Sequence, residues 1–367
     1  PVQTVHAHVP FSLDLVHAED WDAEDLKMRL REIMFQPFDL SQAPLLRVSI
    51  FHQSPTNHLL IISIHHIVTD MWSVALLLSQ TSKSYKMLLQ GEDVPYKEPR
   101  ATYEDYVKWQ AEMLASEDGE QHLQYWREKL TGDLPVLNLA MEKPRPPYQS
   151  DHGRSTFLRI EPELRNALKE VADACGSNLH DLCLTAFKVL LYRYTGQEDI
   201  IIGYPKFGRT RQMAKVMGYF VNPVALRSDL SGNPPFADLL QQVRGTLRES
   251  SQHDLIPFMM LVEKLHPKRT LSHSPIFQVM FTWQKTTRIV DSDYMTGFAL
   301  GDEKTDVHLG EFHMEPVSLP YRVVPFDLTL LMAEAGKELG ATIEYNLDLF
   351  DQEAIKRMIG HYRMLLE

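Results

Sequence analysis

Two cysteines in 367 residues leave no disulfide framework on which to build a fold. Cys175 and Cys183 both fall in stretches with helical spacing, so neither is placed to bridge, and a reducing cytoplasm suits such a chain best. No apolar run reaches the roughly 20 residues of a transmembrane helix. The opening Pro1 to His6 has neither the basic start nor the apolar stretch of a signal peptide. Positive charge is also scarce. The 37 Lys and Arg stand against 49 Asp and Glu, a net charge of −12 and a pI near 5.7. That balance argues against nucleic acid as a partner, and against an anionic membrane surface. No Gly-x-Ser-x-Gly elbow occurs, and neither cysteine has the surroundings of an activated thiol. Chemistry through a covalent acyl-enzyme therefore has no candidate nucleophile.

What is present describes a globular protein, 44% hydrophobic and 23% charged. The length exceeds what one core conveniently serves, and two domains are expected. Strand and helix patterns alternate along the whole chain. A helix is predicted over Asp22–Phe35, and a hairpin returns from Pro44–Ile50 through a turn at Gln53–Asn57 to His58–His66. A helix follows Asp70 and ends near Gly91. Two more helices lie around Trp109 and over Glu120–Leu130. Pro144, Pro146 and Pro147 then mark a stiff, poorly packing stretch. The domain boundary is placed there, giving 1–145 and 146–367. The second part opens on a strand at Ser155–Ile160, and helices follow from Pro162 and from Asn178. Asp199-Ile200-Ile201-Ile202-Gly203 is apolar throughout its centre, the mark of a strand covered on both faces. A strand after Gly218, a helix over Phe236–Arg248, a strand over Pro275–Trp283, a hairpin around Gly336 and a last helix capped by Asp351 complete it. An α/β or α+β fold with two sheets is expected. The halves share no sequence repeat.

The stretch Ile61-Ile62-Ser63-Ile64-His65-His66-Ile67-Val68-Thr69-Asp70 carries the most chemistry. If the strand runs through both histidines, alternation puts His66 on the face of Ile62 and Ile64 and turns His65 away. Taken alone, such a pair is most often a strand end with satisfied ring nitrogens. A shared metal ion is disfavoured because neighbouring strand residues diverge. The third reading makes His66 a general base, able to accept a proton from an amine near neutral pH, with Asp70 orienting the loop.

His65-His66-Ile67-Val68-Thr69-Asp70 followed by Trp72-Ser73 resembles the HHxxxDG(W)S signature of nonribosomal peptide synthetase condensation domains. Other stretches agree in order and spacing. Tyr103 to Trp109 resembles YxDYAxW, Gly218 to Arg227 resembles GxFVNTxxxR, His253 to Phe258 is similar to HQDxPFE, and Ser274 to Val279 is similar to NPLFQV. The resemblance covers nearly the whole chain.

The resemblance implies two chloramphenicol-acetyltransferase-like lobes forming a V-shaped pseudo-dimer around a tunnel. Donor and acceptor carrier proteins would deliver 4′-phosphopantetheine-tethered substrates, and the domain itself would bind no cofactor and no metal. His66 would deprotonate or position the acceptor amine and stabilise the tetrahedral oxyanion. His65 and Asp70 would be structural, with Asp70 pairing to Arg227. Met71, Trp72, Ser73, Gly218, Asn222 and Ser274 would lie along the substrate path. Met71 stands where the family keeps Gly, a replacement similar to that in hybrid members accepting polyketide-type donors. His273 and Ser274 replace an Arg and an Asn, and Leu255 and Met259 replace two acidic residues. The family's SxAQxR and RHExLR segments are not found, which implies a first lobe without its opening strand and helix. Carrier and adenylation motifs are likewise not found, so those activities, or a polyketide synthase module, would be neighbours. An epimerization domain, a non-catalytic carrier-docking module and a simple CoA acyltransferase are the competing readings.

Overall fold

A computed structural model describes residues 3–6, 8–95, 99–139, 143–267, 270–284, 300, 307–309, 311–317 and 322–367. By compactness the chain divides into two units. One comprises Pro1–Val74 with Val216–Phe220, the other Ala75–Lys215 with Val221–Glu367. This partition is distinct in kind from the lobe boundary expected at 145/146.

The smaller unit is a three-stranded sheet, order β1-β2-β3, built from β1 (Leu13–His17), β2 (Leu46–Ser54) and β3 (Asn57–Ile64). β1 runs parallel to β2, and α1 (Ala23–Phe35) makes the crossover that a parallel pair requires. Asp22 caps α1 by accepting from the amides of Glu24 and Asp25. The buried face of α1 carries Leu30 and Ile33. Ile33 meets Ala18 and Phe51 in a small core, with Trp21, Leu26, Leu59 and Ile61 around it. β2 and β3 are antiparallel, and the hairpin turns over Pro55 and Thr56, inside the stretch expected to turn.

α2 (Met71–Leu89) has only its first turn in the smaller unit. The larger unit continues with α3 (Tyr103–Leu114), α4 (Glu117–Lys129), β4 (His152–Ile160), α5 (Pro162–Ala174), α6 (Leu179–Thr195), β5 (Asp199–Lys206) and β6 (Asn222–Asp229). Then come α7 (Phe236–Gln252), α8 (Phe258–Leu265), β7 (Val279–Gln284), β8 (Val307–Leu309), β9 (Phe312–Met314), β10 (Arg322–Val323), β11 (Leu328–Ala335), β12 (Glu338–Asn346) and α9 (Gln352–Leu366). Seven strands form one mixed sheet in the order β10-β4-β12-β11-β7-β5-β6, and β8 and β9 make a separate ribbon.

Pattern and packing agree closely in this unit. Ile200, Ile201 and Ile202 are all buried, so β5 is covered on both faces as its unbroken apolar run predicts. α6 is buried on nearly every side from Leu182 to Leu191. α9 presents Ile355, Met358, Ile359 and Tyr362 to the core, the stripe its spacing predicts. Both cysteines are unpaired, and burial pushes the Cys183 thiol up to about 12. Boundaries move where local chemistry intervenes. Ser116 caps the amide of Gly119, so α4 starts three residues before the expected Glu120. Ile276 sits at φ 68, an unfavourable value for a β-branched residue, and β7 begins only at Val279 instead of Pro275. α8, which follows Pro257, has no counterpart among the predicted helices.

α6 also holds an unexpected charge site. Lys188 is fully buried, with Nζ donating to the Leu226 carbonyl at 3.0 Å and to Ser228 Oγ at 2.8 Å. Burial alone pulls its ammonium from 10.5 down to about 7. Between these two values the unfolded chain binds the extra proton, so stability rises with pH across that window and is flat below it. Raising the pH from about 7 to about 9 is expected to increase the urea midpoint of the native protein, and Lys188→Met is expected to lack that increment. Equal pH slopes for the two proteins would show that Lys188 carries no such linkage.

Candidate active site

β3 stops at Ile64, two residues short of the expected end. The His65 amide still donates to the Leu45 carbonyl at 3.1 Å, and a 3-10 turn over His66–Val68 follows at once. His65 caps this turn, its Nδ1 accepting from the Ile67 amide at 3.1 Å. That bond leaves Nδ1 without a proton and assigns the ring proton to Nε2. The ring edge of His65 also packs against Phe38, with centroids 6.0 Å apart. His66 is exposed. Its imidazole meets the Tyr219 ring nearly at right angles, with centroids 5.2 Å apart and an interplanar angle of 80°. The two histidines are thus separated by a turn, not by the alternation of a strand.

Asp70 is 2% exposed and stands between the turn and α2. Oδ1 accepts from the Ser73 amide at 2.8 Å, the geometry of a helix cap, and the Asp70 carbonyl accepts from Val74 at 3.0 Å. Oδ2 accepts from the Phe220 amide at 3.3 Å. A carboxylate at a helix N-terminus is further favoured by the aligned peptide dipoles. The fully buried Ser73 hydroxyl donates to the Gly218 carbonyl and accepts from the Gly218 amide, both at 3.0 Å. Residues 216–220 are therefore stitched to the first turn of α2 from about 145 positions away in sequence. Met71 and Trp72, at the start of the same helix, are half-buried. The Tyr219 hydroxyl is pushed up, first by burial and then by the Asp70 carboxylate, and stays protonated at neutral pH.

The remaining candidates have local partners in the larger unit. Arg227, the residue that the resemblance would pair with Asp70, has a carboxylate in its own unit. Arg227 forks onto Asp199, Nε to Oδ1 at 3.0 Å and Nη2 to Oδ2 at 2.8 Å, and its Nη1 donates to the carbonyls of Lys129 and Thr131. Register explains the choice. Arg227 lies opposite Ile201 in the β5–β6 ladder, so Asp199 is its diagonal neighbour on the same face. Asn222 donates through Nδ2 to the carbonyls of Asp254 and Ile256, and its Oδ1 accepts from the Phe258 amide. It clamps the stretch that starts α8. The same stretch is tied to α4, where Trp126 donates to the His253 carbonyl at 2.7 Å. Ser274 Oγ makes two long contacts, to Gln149 Oε1 at 3.3 Å and to the Pro325 carbonyl at 3.4 Å. Sequence reasoning passed over Tyr219, whose only signal is its place between Gly218 and Phe220 in a stretch already singled out.

Comparison with known proteins supplies the family. Residues 1–367 match the family described as Condensation domain. The chain belongs to the condensation-domain family. It is 38% identical over 371 residues to one component of the linear gramicidin synthase of Brevibacillus parabrevis, covering 100% of this chain and 5% of that protein. Against one component of the plipastatin synthase of Bacillus subtilis (strain 168) the identity is 34% over 367 residues, with 100% of this chain and 10% of that protein covered. The chain therefore spans a small part of these curated relatives. A holo four-domain nonribosomal peptide synthetase bound to AMP and glycine superposes with a TM-score of 0.83 at 25% identity, over 98% of this chain and 27% of that one. The X-domain from teicoplanin biosynthesis shares the fold, with a TM-score of 0.85 at 24% identity over 99% of this chain and 80% of that one.

The mixed sheets and flanking helices are the chloramphenicol-acetyltransferase-like α/β fold that the motifs imply. Condensation domains of nonribosomal peptide synthetases form amide bonds, an acyltransferase-type reaction, on carrier-bound substrates, and in multidomain synthetases they act with carrier and adenylation domains. Among the described residues, no group of three or more His, Cys, Asp or Glu could hold a metal ion, and no helix is long and apolar enough to cross a membrane. The stitch between Ser73 and Gly218 is open to direct measurement. Ser73→Ala removes both hydrogen bonds to the buried Gly218 backbone and is expected to lower unfolding free energy by about 1–3 kcal/mol in urea titration. A loss below about 0.5 kcal/mol, the range of neutral surface changes, would contradict it.

Proposed function

We propose that this condensation domain joins a carrier-bound acyl or peptidyl thioester to the amine of a carrier-bound aminoacyl acceptor, with His66 as the group that acts on the amine. The observation that carries the assignment is the division of labour between the two histidines. His65 spends Nδ1 on the Ile67 amide, while among the described residues the exposed His66 imidazole has no hydrogen-bond partner. An uncommitted neutral imidazole can accept the amine proton or hold the amine by its lone pair as it attacks. The amine nitrogen adds to the thioester carbonyl, and collapse of the tetrahedral adduct breaks the carbon–sulfur bond. The thiol of the donor arm leaves with a proton and the amide remains. No enzyme nucleophile is needed, in keeping with a sequence that offers none.

In this reading both substrates arrive on 4′-phosphopantetheine arms of carrier proteins, and adenylation or polyketide synthase modules are the neighbours that load them. Matches along the whole of this chain to peptide synthases favour amide formation over epimerization or docking alone. Met71, half-buried at the start of α2, brings a flexible thioether to the turn that carries His66 and bears on which acyl chains are accepted.

The test supplies the domain with donor- and acceptor-loaded carriers and follows the condensed product by intact-mass analysis. His66→Ala is expected to reduce the rate of product formation by on the order of 10²-fold or more. Product formed at the native rate would remove His66 from the mechanism.

A further inference from the structure

We propose that Tyr219 is a positioning residue for His66, and that the buried Asp70 and Ser73 act on the site through it. This rests on the reading of His66 as the working imidazole. The chain of contacts is short and lies within the smaller compact unit. Asp70 Oδ2 holds the Phe220 amide, and the Ser73 hydroxyl holds both backbone groups of Gly218. Tyr219 is the residue between these two anchors. Its backbone is fixed on either side, and its ring is delivered against the His66 imidazole at 5.2 Å between centroids and 80° between planes.

Among the described residues nothing else holds that imidazole by a hydrogen bond, so the perpendicular ring contact is what restricts its rotation. Perpendicular packing is a preferred arrangement for aromatic rings, and it defines an orientation without consuming either ring nitrogen. A hydrogen bond would orient the imidazole too, but by engaging the lone pair or proton the reaction uses. The contact with His66 is made by the Tyr219 ring, which phenylalanine also supplies. Phenylalanine should therefore serve as well as tyrosine. Tyr219 is about a third exposed, so its replacement removes a side chain from a rim and leaves the core of the unit intact.

The experiment reads orientation and chemistry separately. In histidine-labelled intact protein, the His66 ring signals are assigned by their loss in His66→Ala. Tyr219→Ala and Tyr219→Leu are then expected to shift those signals as the ring current disappears, while Tyr219→Phe leaves them close to native. In the carrier-loaded assay, the rate of amide formation is expected to fall about tenfold in Ala and Leu with KM for the acceptor carrier unchanged, and to be retained in Phe. Unmoved His66 signals in both the Ala and Leu variants overturn the proposal. A Phe variant as impaired as Ala overturns it as well, because the hydroxyl would then be the acting group. Amide formation at the native rate by His66→Ala defeats the functional reading alone, and the ring shifts then still decide whether Tyr219 holds that imidazole.

Discussion

The Asp70 carboxylate is the constraint from which the rest of the site follows. A carboxylate at 2% exposure is unfavourable unless each oxygen is answered, and here both accept from backbone amides, one within α2 and one at Phe220. The arrangement links three things that sequence separates: the end of the His66 turn, the first turn of a helix, and a segment about 150 residues later. Amide donors suit this task because they are rigid and belong to the elements being joined. The fully buried Ser73 hydroxyl adds a bond in each direction to Gly218, so the same helix turn holds the later segment at two points.

Much of the larger unit could be read from periodicity, because there burial and pattern are the same fact. The apolar run of β5, the all-round burial of α6 and the stripe on α9 each follow from which residues must leave water. The site was legible in its membership and less so in its wiring. Strand parity was the argument that divided His65 from His66, yet the strand ends before either. The Ile67 amide takes His65 Nδ1 instead, and a turn closed by side-chain capping leaves no periodic trace in sequence. The local partner of Arg227 was hidden for a related reason. Arg227 has a carboxylate two positions along the neighbouring strand, and only the β5–β6 register reveals that Asp199 is diagonal to it. Asn222 also clamps a loop that the sequence does not announce, because its amide faces the carbonyls of Asp254 and Ile256.

These outcomes share a pattern. Several polar residues in the quoted motifs build backbone. Asp70, Ser73, His65 and Asn222 all spend their hydrogen-bonding groups on main-chain amides and carbonyls. Main-chain partners fix loop paths without depending on the rotamer of another side chain, and irregular segments need such partners because no ladder satisfies their amides. A signature rich in polar residues can therefore be mostly architecture.

That arrangement suits the proposed reaction, in which both reactants are delivered to the domain by other proteins. Aminolysis of a thioester is intrinsically favourable, and the enzyme gains most by holding amine and carbonyl in a productive alignment with one base at hand. A covalent nucleophile would add a second acyl transfer without easing the first. What the fold must supply is an imidazole with both nitrogens available and little freedom to turn. A residue in a strand is oriented by the ladder, whereas one on a short turn must be oriented by its neighbours. The capped turn, the buried carboxylate and the anchored 218–220 segment together supply those neighbours, and they do so without touching the nitrogens of His66.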